Sequence, residues 1–335
     1  MKASDLLENL EYVHKAGLAA FVKGPAGGGK TTLARQYAKK KGMKLVHCHA
    51  PLMDLLDVKG CISTAGDKAQ FLPLEMWPDP EDGPVVILID EFPQCVTAIQ
   101  NAFSQMLIEQ VMGDVRLPKG SFVIATGNRK IDKAATNNIP AHIVSRVLHI
   151  ELQEDRDGWF NWASIEKLHH HVIAFIKFKP DALFTFDPSD SQSPYGCARS
   201  WAYVSDIIKS GAKDEFLQEL ISGLVGPGNA SVFMAYRRTC LTLPDPQHIL
   251  ANPNTCQIPS DPGILYALCT GLSYYVTDTS CDNFITLANR IPTEFAIAMV
   301  KEGGNHCKGL RKNKSAIAWM QLNAKIAADS DWNTV

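Results

Sequence analysis

The sequence predicts a doubly wound α/β domain followed by an all-helical half, and three observations predict it. Short apolar runs rich in β-branched residues recur through the first half, helical patterns lie between them, and the strand-like runs stop at about residue 153. Apolar runs with little alternation mark strands buried on both faces of a parallel sheet. Strands that alternate with helices build such a sheet with helices on either side.

The expected strands are "LAAFVKG" (18–24), "MKLVHC" (43–48), "PVVILID" (84–90), "SFVIATGN" (121–128) and "RVLHIEL" (146–152), five in a parallel sheet. Between them, "TTLARQYAKKKG" (31–42) has a helical pattern, and "VTAIQNAFSQMLIEQ" (96–110) sets Val96, Ile99, Phe103 and Leu107 on one face. The segments 157–178, 200–224, 229–239, 262–277 and 293–304 all read as helices, separated by turns rich in Pro and Gly. The polar stretch "DPSDSQSP" (187–194) is the clearest loop.

With 335 residues, 46% of them hydrophobic, the chain is long enough to bury a sizeable core in two or three domains. A formal net charge of −2 gives no whole-chain attraction to nucleic acid or to an anionic membrane, so sequence-independent DNA binding is disfavoured. The nine cysteines are scattered, with no CxxC pair and no zinc-type His/Cys grouping, which suits reduced thiols. The beginning of the chain carries acids and no long apolar core, unlike a signal peptide, and no apolar run is long enough to cross a bilayer. A soluble, cytoplasmic protein is expected.

The chemistry is densest in "GPAGGGKTT", which comprises Gly24, Pro25, Ala26, Gly27, Gly28, Gly29, Lys30, Thr31 and Thr32. It satisfies G-x-x-x-x-G-K-[ST] directly after an expected strand and before an expected helix. The pattern alone arises by chance in roughly 1% of chains of this length, and its placement lowers that further. Glycines let backbone N–H groups turn onto phosphate oxygens, the helix N-terminus adds partial positive charge, Lys30 reaches the β and γ phosphates, and Thr31 offers its hydroxyl to Mg2+.

"VVILIDEF" ends a buried strand in Asp90 and Glu91, at the edge where an α/β sheet opens on its ligand crevice. Asp90 is placed to hold Mg2+ and Glu91 to polarise an attacking water. "FVIATGN" ends the next strand in Asn128, either a carboxamide that orients that water or an ordinary turn residue. Arg129 is either an interface group or an exposed loop arginine. "HHH" (169–171) lies in a helical stretch, where consecutive side chains project around the axis rather than converging on a metal. Trp159, Trp162 and Trp201 flank helical patterns and are expected in the core rather than stacked on bases.

In this order, Lys30, Asp90-Glu91, Asn128, "IPAHIVSRVLHIEL" and "CARSWAYVS" resemble the AAA+ ATPases, and specifically their MoxR-like branch. Segment 54–78 looks like the helix-2 insert of that branch, 111–121 like its hairpin before sensor 1, and later phrases are similar to small phage and bacterial MoxR-like proteins. The resemblance implies a P-loop core over 1–152, a helical lid over 153–245 and a helical C-terminal extension over 246–335. It makes Arg146 an arginine that acts in trans on a neighbouring subunit's nucleotide, and Arg199 a sensor-2 arginine that contacts phosphate in cis. Where a proline is expected just before that arginine, this chain has Cys197-Ala198.

The implied function is Mg2+-dependent ATP hydrolysis in a ring hexamer, driving remodelling or activation of a protein client, in related systems often one with a von Willebrand factor A domain. The alternatives are a nucleic-acid motor or loader, and a nucleotide-gated scaffold that binds ATP without turning it over.

Overall fold

The computed structural model describes residues 1–64, 69–129, 132, 137–190, 192–241, 243 and 245–323. The chain divides into two compact units, Met1–Gly158 with Phe186–Gln192, and Trp159–Thr185 with the chain from Ser193 on.

The first unit is built on a parallel sheet of five strands, β1 (Ala20–Gly24), β2 (Lys44–His49), β5 (Val85–Asp90), β8 (Phe122–Asn128) and β9 (Leu148–Glu151), in the order β2-β5-β8-β1-β9. The period of two sorts its side chains cleanly. Phe21, Val85, Ile87, Ile89, Val123 and Ala125 turn to one face, against α4 (Thr97–Glu109). Val22, Val86, Leu88, Phe122 and Ile124 turn to the other, against α1 (Ala3–Lys15) and α2 (Lys30–Lys41). Burial on both faces holds for β5 and for most of β1 and β8, but not for the two edge strands. In β2 only Val46 and Cys48 are buried, and in β9 only Ile150, because an edge strand has a neighbour on one side alone.

The expected four-residue apolar face of α4 is three residues wide in fact. Ile99, Phe103 and Leu107 are buried, whereas Val96 is the extended N-cap and 61% exposed. Between β2 and β5 lie α3 (Leu55–Lys59), opened by an Asp54 capping box, and an antiparallel pair, β3 (Cys61–Ser63) with β4 (Gln70–Leu72). The "AGDK" stretch between these strands lies outside the described residues. A second short pair, β6 (Val111–Met112) with β7 (Val115–Arg116), follows α4.

The second unit is helical. The segment 157–178 is two helices, not one: α6 (Arg156–Ile165) and α7 (His170–Phe178) are separated at Lys167, whose φ of 53° lies in the left-handed region. A non-glycine residue there interrupts the helix ladder. Likewise α8 (Ala198–Lys209) and α9 (Asp214–Val225) are parted by Gly211 at φ 78°. One core gathers Trp159, Phe175, Trp201 and Phe233. A second gathers Leu272, Phe284, Met299 and Leu310. Trp159 and Trp201 therefore sit in the core, as expected of them. Among the described residues no helix is long and apolar enough to cross a membrane.

Candidate functional site

The site forms at the carboxyl ends of β1, β5 and β8. After β1 the chain turns through "PAGGG" into α2, with Gly27 at φ 69° and Gly29, the residue before the helix, at φ 88°. L side chains rarely adopt that backbone, and a Cβ at Gly29 would stand in open space, the space a cradle for phosphates needs. Lys30 opens α2 with its side chain 8% exposed, its Nζ donating to the carbonyls of Gly24 (3.0 Å) and Pro25 (2.9 Å) and to the Asn128 carboxamide oxygen (2.9 Å).

Asp90 ends β5 and is held by three side chains. Its Oδ2 accepts from the Thr31 hydroxyl at 2.9 Å and lies 3.2 Å from His47 Nε2, and its Oδ1 accepts from the buried Thr126 hydroxyl. Burial acts to raise its pKa, but the hydrogen bonds from Thr126, Thr31 and His47 together outweigh it and hold the carboxyl below its ordinary value. The group is thus a carboxylate beside a hydroxyl, and this pair of hard oxygen donors fits Mg2+.

Glu91 follows at φ 57°, ψ 33°, a left-handed conformation costly for a residue with a Cβ and characteristic of functional turns. That backbone swings its carboxylate out of the strand line, where it accepts from Gln94 Nε2 and lies 3.4 Å from Asn128 Nδ2. Asn128 therefore bridges Lys30 and Glu91. Its approach depends on Gly127, because a Cβ there would come within 2.5 Å of the Pro93 ring in the turn after Glu91.

The structure thus brings together Lys30, Thr31, Asp90, Glu91 and Asn128. Arg129 and Arg146 take other partners. Arg146 is exposed after the short helix α5 (Ala141–Val144), with Nη1 3.3 Å from the His142 carbonyl. Arg129 is tied to the buried Asp132 by bonds of 2.9–3.2 Å. Arg199 lies exposed in the first turn of α8, in the second unit. The proline missing from that helix start is replaced by a working cap, with Cys197 Sγ accepting from the Ser200 N–H.

Sequence reasoning missed Thr126, Gln94 and His47. For Thr126 the signal is weak, a hydroxyl two residues before Asn128 on a buried strand. For His47 it is better: His47 and His49 flank Cys48 at the end of β2, and polar residues at i and i+2 on an edge strand share one face.

The three histidines at 169–171 converge, contrary to the helical expectation, because His169 is the N-cap of α7 with extended ψ (130°) and not part of the helix. Their ligand atoms lie within 4.8 Å of one another, and His171 Nδ1 is buried without a hydrogen-bond partner. Burial, reinforced by neighbouring imidazoles and by Arg237, lowers their pKa values to about 3, 4 and 2 in chain order, so all three are neutral near pH 7.

Residues 20–152 match the ATPase family associated with various cellular activities (AAA), and the P-loop α/β core described above is the fold of that family. No curated protein matches the chain. Among solved structures, NtrX from Brucella abortus is similar at 14% identity and a TM-score of 0.39, over 63% of this chain and 52% of that one. The chain thus spans about half of that protein's length. Its complex with ADP aligns at 16% identity and 0.41, over 97% of this chain and 68% of that one. The RuvB Holliday junction branch migration motor of Thermotoga maritima aligns at 14% and 0.39, over 75% and 80%.

Proposed function

We propose that this protein is a Mg2+-dependent ATP hydrolase that assembles as a ring hexamer and remodels or activates a protein client. The observation that carries the hydrolase reading is the bridge from Lys30 through Asn128 (2.9 Å) to Glu91 (3.4 Å). A module that only binds nucleotide needs a phosphate cradle and a lysine. It has no use for a second acid held beside a carboxamide at the γ-phosphate end.

In this reading Lys30 meets the β and γ phosphates, and Thr31 with Asp90 holds Mg2+, which neutralises charge on the phosphate oxygens. Glu91 takes up the proton of the attacking water, and Asn128 orients that water. Arg146, exposed on the first unit, reaches a neighbouring subunit's nucleotide, and Arg199 contacts phosphate in its own subunit. The client reading draws support from the segment between β2 and β5, where Leu52, Leu56, Ile62 and Leu72 are 50–81% exposed. Apolar side chains gathered in one exposed segment are a mark of protein docking. A client with a von Willebrand factor A domain is the partner that the likeness to MoxR-like proteins favours.

The test is steady-state phosphate release from ATP with and without Mg2+, combined with the particle mass in ATP. Mg2+-dependent release by a hexameric particle is expected. ATP binding with no release would leave a nucleotide-gated scaffold instead.

A further inference from the structure

The face of β2 that looks onto Asp90 carries two histidines, and the nucleotide reading uses neither beyond the His47 contact to Asp90. In His47-Cys48-His49 the period of two buries Cys48 and turns both imidazoles to the opposite side. Parallel pairing sets His49 in register with Asp90, so the two rings and the carboxylate share one end of one sheet face. One ligand atom from each of the three residues lies within 4.8 Å of the others. His47 Nε2 and Asp90 Oδ2 are 3.2 Å apart. Two ligands on one tetrahedral ion, each about 2.0–2.1 Å from it, stand about 3.3 Å apart. The His47–Asp90 pair is therefore already at ligand spacing, and His49, exposed at the strand end, brings a ligand atom within 4.8 Å of both.

We propose that His47, His49 and Asp90 form a site for a divalent transition-metal ion of the zinc class, sharing Asp90 with the nucleotide's Mg2+ and excluding it. The donor set decides the ion. Two imidazoles and one carboxylate suit Zn2+, Co2+ or Ni2+, whereas Mg2+ takes oxygen donors and keeps its waters. Three protein ligands also leave a fourth position for water.

Arg35 Nη2 lies 3.3 Å from His47 Nδ1, which favours the tautomer with its hydrogen on Nε2, facing Asp90. Metal binding at Nε2 moves that hydrogen to Nδ1 through solvent and releases the exposed Arg35 side chain. An ion held there occupies the Asp90 oxygen that Thr31 reaches at 2.9 Å, so it blocks Mg2+-nucleotide. This competition, though not the site itself, rests on the nucleotide reading.

The experiment titrates Co2+ into nucleotide-free protein and follows its visible ligand-field absorption. One ion per chain is expected, displaced by Zn2+. His49→Gln and His47→Gln, each checked by thermal melting, should weaken binding at least about tenfold, the loss typical of removing even a group that supports a ligand. Co2+ affinity unchanged in both variants, or no binding to the wild type, overturns the site.

ATP turnover in the same preparations separates the two readings. Histidine-dependent Co2+ binding without any turnover keeps the site and removes the hydrolase. Turnover that Zn2+ does not inhibit, or inhibits equally in His49→Gln, removes the competition.

Discussion

The Lys30 ammonium and the Asn128 carboxamide oxygen lie 2.9 Å apart, which ties the start of α2 to the end of β8 across 98 residues of sequence. The same carboxamide presents its Nδ2 to Glu91 at 3.4 Å. The groups assigned to phosphate and to water are therefore bridged by one neutral side chain, and changing one should leave the other in place.

Lys30→Ala and Glu91→Gln should accordingly separate binding from cleavage. In the proposed mechanism Lys30 contacts phosphate in the ground state, so its loss should weaken ATP binding by about tenfold to a hundredfold, the worth of a hydrogen bond to a charged group. Glu91 is assigned to act on water on the way to the transition state, so Glu91→Gln should bind ATP normally and lose about 10² to 10⁴ in kcat. Calorimetric titration with ATP and a phosphate-release assay check the pair. Normal turnover in Glu91→Gln would remove its assigned role.

Arg146→Ala should keep ATP binding and lose hydrolysis, because an arginine acting in trans stabilises charge that develops only at the neighbour's γ-phosphate. In GTPases such a group is worth about 10³ to 10⁵ in rate, an upper guide here. Mixing Arg146→Ala with Lys30→Ala protein should restore part of the activity, since some interfaces then join an intact nucleotide site to an intact arginine. Inactive mixtures despite demonstrated co-assembly, or an active monomer, would defeat the assignment.

The core of the site was readable because its residues occupy strand ends and a helix start, positions that apolar runs and glycines mark in the chain. Lys30, Asp90 and Glu91 needed only that punctuation. Thr126 and His47 carry only partial signals, because what they touch depends on which strands neighbour β5, and strand order is a property of the sheet. The break at Lys167 was hidden by a continuous helical pattern, and without it the three histidines read as diverging. Arg146 and Arg199 are exposed, so no packing argument from sequence or structure fixes their roles, and their tests are kinetic.

Replacing residues 64–68 with a short Gly-Ser linker should leave basal ATP turnover and assembly near wild type and remove stimulation by the client. The replaced stretch joins β3 to β4, whose own pairing (Cys61 with Leu72, Ile62 with Phe71) is untouched, and none of the five clustered site residues lies within it. Turnover, particle mass and client stimulation are measured side by side. Collapse of the assembly, or intact client response, would shift the transmission role to the C-terminal helices.

The second unit should lose stability as pH falls below about 6.5, the ordinary pKa of histidine. His169, His170 and His171 are held to about 3, 4 and 2 when folded, chiefly by burial, with Arg237 adding repulsion to any imidazolium. Between the unfolded and folded pKa values the unfolded chain binds more protons, so stability rises with pH. The contribution is complete above about pH 6.5 and erodes as pH falls toward the folded values. Each such histidine gives a slope of up to about 1.4 kcal/mol per pH unit. Urea unfolding followed by tryptophan fluorescence at pH 7, 6 and 5 reads this directly, because Trp159 and Trp201 lie in the core that also holds Val172 and Phe175. His171→Leu, which fills the buried position without a titrating group, should flatten the slope by about a third of the three-histidine total, on the assumption of equal shares. A slope unchanged by that substitution would mean that His171 titrates alike in the folded and unfolded chains, and so is not buried as described.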